Sequence, residues 1–244
     1  EPDGPPLIPG SAGLADYLTG VYAAFGAVTA LRHRDRTGEG QEVDIALYEA
    51  VFQMLGDLVE TYDHLGEVQD RIGSMNPHAA PHNNFRAKDG KWVAIGCTSN
   101  GLFAKLVKTM GQPDLLEDER FSSNRSRIAH RQEIESTVAS WAKEHPADEL
   151  VATLIDHGVP ASLIYTVSDA FSDSHYWERG AIVRIPTDDV GDLATRGVVP
   201  RLTATPGRID HLGGRIGADN DSVYTEVLGL KPDEIAKFRR HGVI

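Results

Sequence analysis

The chain has 244 residues, a formal net charge of -12 and 41% hydrophobic content, enough apolar material for one large packed domain or two small ones. That acidic balance excludes the clustered Lys and Arg that nucleic acids and anionic membrane surfaces demand, and no unbroken apolar run approaches the roughly 20 residues of a membrane span. Cys97 is the single cysteine, which excludes an intrachain disulfide and a thiolate cluster and points to a reducing, cytoplasmic setting.

The opening Glu1-Pro-Asp-Gly-Pro-Pro6 reads as a turn-rich linker, an unusual start for a folded domain, as though the chain were cut from something longer. In the next segment Leu14, Leu18, Val21, Tyr22, Phe25, Val28 and Leu31 recur at steps of three or four. That period predicts a helix with a buried face. Gly20, Ala23, Ala24, Gly26, Ala27 and Ala30 would let another backbone approach it closely. Asp16 falls in its first turn, where unpaired N–H groups and the helix dipole favour a carboxylate. By spacing alone, Asp16 is a helix-terminal acid.

Arg32, Arg34 and Arg36 followed by Gly38 form a helix stop. Val43, Ile45 and Leu47 alternate with polar or small residues and predict a short half-buried strand whose partners must come from elsewhere. Leu47 to Leu65 reads as a second helix ended by Gly66. Arg71 to Asn84 has no period and two prolines, so it is a loop. Phe85 to Cys97 is a hairpin around Asp89-Gly90. Helical faces follow at Leu102–Met110, Ile134–Trp141 and Leu150–Ile155, then strands at Val159–Thr166 and Ala181–Ile185. Residues 82–186 therefore predict a small α+β domain with an antiparallel sheet. Thr187–Gly217 reads as a linker, and two short helices, Ser222–Leu228 and Pro232–Arg240, close the chain.

An ordered set of motifs carries a resemblance. Ala15-Asp-Tyr-Leu-Thr-Gly20, Arg36-Thr-Gly-Glu-Gly-Gln41, Val43-Asp-Ile45, Asn76-Pro-His-Ala-Ala-Pro81, Asp89-Gly-Lys-Trp-Val-Ala-Ile95, Gly158-Val-Pro160, Val227-Leu-Gly-Leu230 and Gly242-Val-Ile244 stand in this order. The chain resembles the family III CoA-transferases, the group of carnitine CoA-transferase, formyl-CoA transferase and the bile-acid-inducible F proteins. The resemblance implies an α/β fold. A Rossmann-like large domain, built from both ends of the chain, would carry an inserted smaller α+β domain, in an interlaced dimer. It divides the chain into residues 1–70 (later part of the large domain), 71–186 (small domain with its preceding loop) and 187–244 (linker and return), with the family's N-terminal segment absent from this sequence.

The resemblance further implies an acyl-CoA:carboxylate CoA-transferase, working through an aspartyl anhydride and an aspartyl-CoA thioester. Asp16 is the matching nucleophile, and Gly73, Ser74, Asn76 and His78 match in position a mobile substrate-binding loop. Coenzyme A thioester is the substrate; neither a metal nor a bound cofactor is implied. The expected partners are an acyl-CoA and a carboxylic acid, with either a homodimer or a second chain supplying the N-terminal part. Two other readings compete. One is an α-methylacyl-CoA racemase on the same fold, using the same aspartate as acid/base; the other is a non-catalytic subunit that keeps the fold.

Other motifs carry less. His78 and His82 are spaced like zinc ligands on a helix, but Pro77 and Pro81 forbid an ordinary helix there. Arg32, Arg34 and Arg36 suit CoA phosphates and a solvated helix end equally. Gly213-Gly-Arg-Ile-Gly217 lacks the strand and Lys-Ser/Thr of a phosphate loop. Gly217-Ala-Asp-Asn220 departs from the Gly-Glu-His-Thr of relatives. Cys97 reads as buried and inert.

Overall fold

A computed structural model describes residues 13–244; the linker reading of residues 1–6 lies outside them. The chain divides into two compact units, up to Leu163 and from Ile164 onward.

The first unit opens with α1 (Leu14–Thr37), stopped as expected where the Gly38 N–H donates to Arg34 O at 2.7 Å. None of its residues is buried: Val21, Phe25 and Val28 are 68%, 72% and 67% exposed. The buried face predicted from its period is therefore uncovered among the described residues. α1 is also long and apolar enough to cross a bilayer by length and composition, its best window having a mean hydropathy of 1.3. Scanning for unbroken apolar runs misses this, because Gly, Ala and Thr interrupt the run without making it polar.

Small residues do let backbone approach: at Gly26 an added Cβ would stand 2.8 Å from Val43 Cγ1. That contact lays residues 39–46 against the helix, but no ladder forms there. A strand needs a hydrogen-bonded neighbour, and the described residues provide none, so the strand expected at Val43–Leu47 does not form. The helix expected over 47–65 is split into α2 (Leu47–Phe52), a 3-10 turn (Gln53–Leu55) and α3 (Leu58–Leu65). Gly56 breaks it, at φ 64° and ψ -127°, a backbone state essentially restricted to glycine.

After an irregular stretch come β1 (His82–Arg86) and β2 (Trp92–Gly96), the predicted hairpin, with Phe85 opposite Val93 and His82 opposite Gly96. β1 takes the last three residues of the predicted loop. β3 (Ala161–Leu163) adds antiparallel to β2, completing the sheet order β1-β2-β3. Between β2 and β3 lie α4 (Asn100–Thr109), α5 (Asn124–Ala129), α6 (Arg131–Ala142) and α7 (Ala147–Asp156). Ser99 and Ser123 cap α4 and α5 by accepting the Leu102 and Ser126 N–H groups, at 3.2 and 3.1 Å, the usual satisfaction of helix-start donors.

One face of the sheet packs on these helices. Phe85, Val93, Ile95 and Cys97 join Leu106, Val138, Trp141, Leu150 and Leu154 in one core. Phe103, Val107, Phe121 and Ile134 form a second cluster around Ala80. Burial of this apolar area is what holds the element set together.

The second unit contains α8 (Val167–Ser172), α9 (Ser174–Glu178), β4 (Ile182–Thr187), β5 (Gly191–Arg196), α10 (Asn220–Ser222), which runs on into a π-type turn (Val223–Val227), and α11 (Pro232–Arg240). Thr166 and Asp169 form a reciprocal capping box at α8. β4 pairs with β5 and not with the first sheet. This corrects the expected antiparallel sheet over 82–186 and, for residues 187–196, the linker reading of 187–217. The β4–β5 hairpin also straddles the expected boundary at 186/187.

Candidate active site

Asp16 is exposed in the first turn of α1, after Gly13 as the N-terminal cap. Its carboxylate folds back over that glycine: a Cβ at Gly13 would fall 1.7 Å from Asp16 Oδ2. Only a residue without a side chain leaves the carboxylate there. The start of a 24-residue helix presents N–H donors and positive potential on this side.

The predicted loop residues stand before β1. Ser74 Oγ donates to Asn83 Oδ1 at 2.5 Å, and the Asn76 N–H donates to His82 O at 3.0 Å. The His78 N–H donates to Asn76 Oδ1 at 2.8 Å, a turn closed by a side chain. His78 Nε2 lies 3.5 Å from Asp57 Oδ1 at the start of α3. Gly73 has φ 68° and open space where a Cβ would be. Structure thus gathers Ser74, Asn76 and His78 around the entry to β1. Among the described residues, no hydrogen bond or ion pair joins them to Asp16.

Beyond the loop, a cavity of about 630 Å³ opens on the uncovered sheet face. Ser74, His82, Asn84, Gly96 and Ser162 line it together with the Gly158–Ala161 turn. Bonded to β1 at His82 is a buried group that sequence reading missed. Glu135 on α6 is 7% exposed and accepts the His82 N–H on Oε1 at 3.0 Å, while Oε2 is buried without a well-formed hydrogen bond. Burial raises its pKa; the His82 N–H, the Asn83 amide and the Arg131 charge oppose that and do not outweigh it. Its i−8 and i−4 neighbours Arg127 and Arg131 also aim at the loop, so a polar stripe at helical spacing was the available sequence signal.

The remaining candidates fall away from the site. Arg34 pairs with Asp35 at 2.7 Å on the solvated end of α1. Cys97 is fully buried, and desolvation pushes its thiol from 9.0 up to about 12. His78 Nε2 reaches Asp57, whereas the His82 ring lies against Gly96, its Cε1 3.3 Å from where a Cβ would be.

Known proteins resemble this chain in sequence and fold. The model of CoA-transferase family III matches residues 1–220. The chain is 39% identical to the succinyl-CoA–L-malate CoA-transferase beta subunit of Chloroflexus aurantiacus over 245 aligned residues, covering 100% of this chain and 60% of that protein. It is 37% identical to the succinyl-CoA–D-citramalate CoA-transferase of the same organism, with the same coverage of both chains. Among solved structures, a CAIB/BAIF family protein from Brucella suis superposes with a TM-score of 0.75 at 31% identity, covering 93% of this chain and 58% of that one. The chain belongs to CoA-transferase family III. It spans 60% of the length of these two curated relatives.

Proposed function

We propose that the full-length protein transfers coenzyme A from an acyl-CoA thioester to a carboxylic acid, with Asp16 as the nucleophile. The observation that carries this is the exposed Asp16 carboxylate held over Gly13 at the start of α1, in a chain that belongs to the family. A carboxylate oxygen of Asp16 attacks the thioester carbonyl; the C–S bond breaks, leaving a mixed anhydride and CoA thiolate. The thiolate attacks Cγ of Asp16 and expels the donor acid, leaving an aspartyl-CoA thioester. An acceptor carboxylate then attacks that carbonyl, releasing the thiolate again, and the thiolate takes the acceptor's acyl group from the second anhydride. Asp16 ends as the free carboxylate. Each step exchanges one acyl–oxygen or acyl–sulfur bond for another, so no ATP, metal or net proton is consumed.

Each tetrahedral intermediate needs donors at its oxyanion. The N–H groups of Asn76 and His78 are engaged within the loop. Oxyanion donors there narrow to the N–H groups of Gly73, Ser74 and Met75 and the Asn76 side-chain amide. Closure of the loop excludes water, to which an anhydride is labile.

The relatives' names put succinyl-CoA with a malate or citramalate acceptor, so C4–C5 dicarboxylates are the substrates we assign. The exposed apolar face of α1 and a relative named as a beta subunit support an assembly, an interlaced dimer in our reading, that covers this face. On that reading α1 is a core helix of the assembly and not a membrane span, and the protein works in the cytoplasm.

Incubating the full-length protein with succinyl-CoA and then hydroxylamine or borohydride is expected to trap an adduct on Asp16. Asp16→Asn is expected to lower kcat on the order of 10⁴-fold. Full activity in that variant, with no adduct, would sink the mechanism. Racemisation of a 2-methylacyl-CoA without exchange of labelled free acid would replace it by racemase chemistry.

A further inference from the structure

The segment Pro77–His82 is an irregular stretch with a buried centre: Ala79, Ala80 and Pro81 are all shielded from water. Buried irregular backbone is costly unless its polar groups find partners. Pro81 O accepts the Cys97 N–H at 3.1 Å, and Asn76 bonds the His78 N–H and His82 O; the other partners come from four side chains at steps of three, four and four along α5 and α6. Arg131 Nη2 donates to Pro77 O at 2.9 Å. Asn124 Nδ2 donates to His78 O at 2.8 Å, while its Oδ1 accepts the Ala80 N–H at 3.3 Å. Arg127 Nε donates to Ala80 O at 2.7 Å. Glu135 Oε1 accepts the His82 N–H at 3.0 Å.

Arg127 is the centre of this row. It is fully buried, its other nitrogens donate to Phe121 O and Asn100 Oδ1 at 3.0 Å each, and it stacks 4.3 Å from the Phe103 ring centroid. All three of these acceptors are neutral. A buried guanidinium without a carboxylate gains no Coulomb energy from a partner ion. What this one supplies is a rigid planar fork that fixes where a carbonyl must point.

The other half of the loop is held differently. Residues Gln69–Ile72 and Met75 stand across a groove of about 820 Å³ from the α5–α6 junction, and Gly73 has nothing within 4 Å of a Cβ position. The base at 77–82 is thus held by side chains of α5 and α6, while the stretch before it is tied at Ser74, whose Oγ donates to Asn83 Oδ1.

We propose that Asn124, Arg127, Arg131 and Glu135 are positioning residues: a side-chain template on α5–α6 that sets the backbone of Pro77–His82 and thereby the placement of Asn76 and His78 for the reaction. The inference rests on the CoA-transferase reading for its catalytic consequence and on geometry alone for the template. A misplacement of about 1 Å in such a loop costs roughly 100-fold in rate when reacting groups depend on it. The template therefore acts on kcat and leaves binding of the thioester nearly untouched.

The test uses the full-length protein in its natural assembly, comparing wild type with Arg131→Met, Arg131→Lys and Asn124→Ala; Arg127 is left intact because its loss threatens the core. Hydrogen exchange is expected to speed up about tenfold or more at the His78 and Ala80 amides in Arg131→Met and Asn124→Ala, with the Ile95 and Val138 amides unchanged. With succinyl-CoA and L-malate, kcat is expected to fall about tenfold while KM for succinyl-CoA stays within about twofold. Arg131→Lys, which keeps a donor for Pro77 O, is expected to recover most of both. Unchanged exchange at His78 and Ala80 overturns the template. Faster exchange with wild-type kcat overturns its role in the reaction, leaving a structural clamp. A wild type that exchanges no CoA with any of these acids overturns the proposed function instead, and the exchange data then decide the template on their own.

Discussion

Gly13 and Asp16 show how much one missing side chain decides. A helix cap is ordinarily chosen for a side chain that accepts N–H groups, yet this one is glycine and makes no such bond. The Asp16 carboxylate occupies the space instead, 1.7 Å from where a Cβ would be. Gly13→Ala is expected to push the carboxylate aside, lowering kcat by about 100-fold while the melting temperature barely moves. A parallel loss of both would mean that the glycine serves folding only. Asp16 was legible from the sequence as a first-turn acid, and its motif suggested the role proposed for it; its position over Gly13 was not legible, because side-chain direction is absent from spacing.

Two buried groups give pH predictions of the same sign. Burial raises the thiol of Cys97 to about 12, so the folded state disfavours the thiolate. That contribution is intact below the ordinary thiol range and is lost as pH rises from about 9 toward 12. A maleimide or disulfide reagent at pH 8 is expected to label Cys97 only after denaturant unfolds the chain. Glu135 is likewise raised by burial, so its contribution is present below the ordinary carboxylate range and lost above it. Glu135→Gln keeps an oxygen for the His82 N–H without the buried charge. The variant is expected to be at least as stable as wild type at pH 7, with a flatter stability profile between pH 4 and 7 by denaturant titration.

At the scale of elements, local signals placed most helices. Asp89-Gly90 turns the β1–β2 hairpin as expected, whereas α5, α8 and α9, of five or six residues each, are too short to show a helical period and were missed, with Thr166 read as the end of a strand where it caps α8. The failures have one cause each. Apolar period carried the second predicted helix through Gly56, whose positive φ breaks it. Gly56→Ala is expected to cost about 1–3 kcal/mol, read as a lower melting temperature; a neutral result would show that the break is set elsewhere. β5 was missed because Gly191–Arg196 is polar and has no buried residue. Its order comes from pairing with β4, not from its own pattern.

For the whole molecule, the exposed row Val21, Phe25 and Val28 along α1 is an apolar face of a size that soluble chains rarely leave open. Analytical ultracentrifugation of the full-length protein is expected to give a dimer or larger assembly. Val21→Glu together with Phe25→Glu is expected to dissociate it and to abolish transfer. A monomer with full activity would overturn the assembly. The Val43–Leu47 segment belongs to the same argument: its alternating pattern is that of a strand, yet residues 43–46 have no ladder partner among the described residues and Leu47 opens α2.

By itself the sequence determined what a few neighbouring residues decide: where longer helices such as α1, α4 and α7 lie, where the chain doubles back at Asp89-Gly90, and that Asp16 stands in a first turn within a family motif. Such features depend on hydrogen bonds and periods that close within one or two turns of chain. Tertiary structure decided the rest. The bonds from Arg127, Arg131 and Glu135 to the loop span 47, 54 and 53 residues, and the pairing of β4 with β5 gives order to a segment that has no local pattern of its own. The exposure of α1 follows from what packs on it, not from its period. Asp16 can be read where it stands; the placement of the loop is carried by side chains some fifty residues away in sequence.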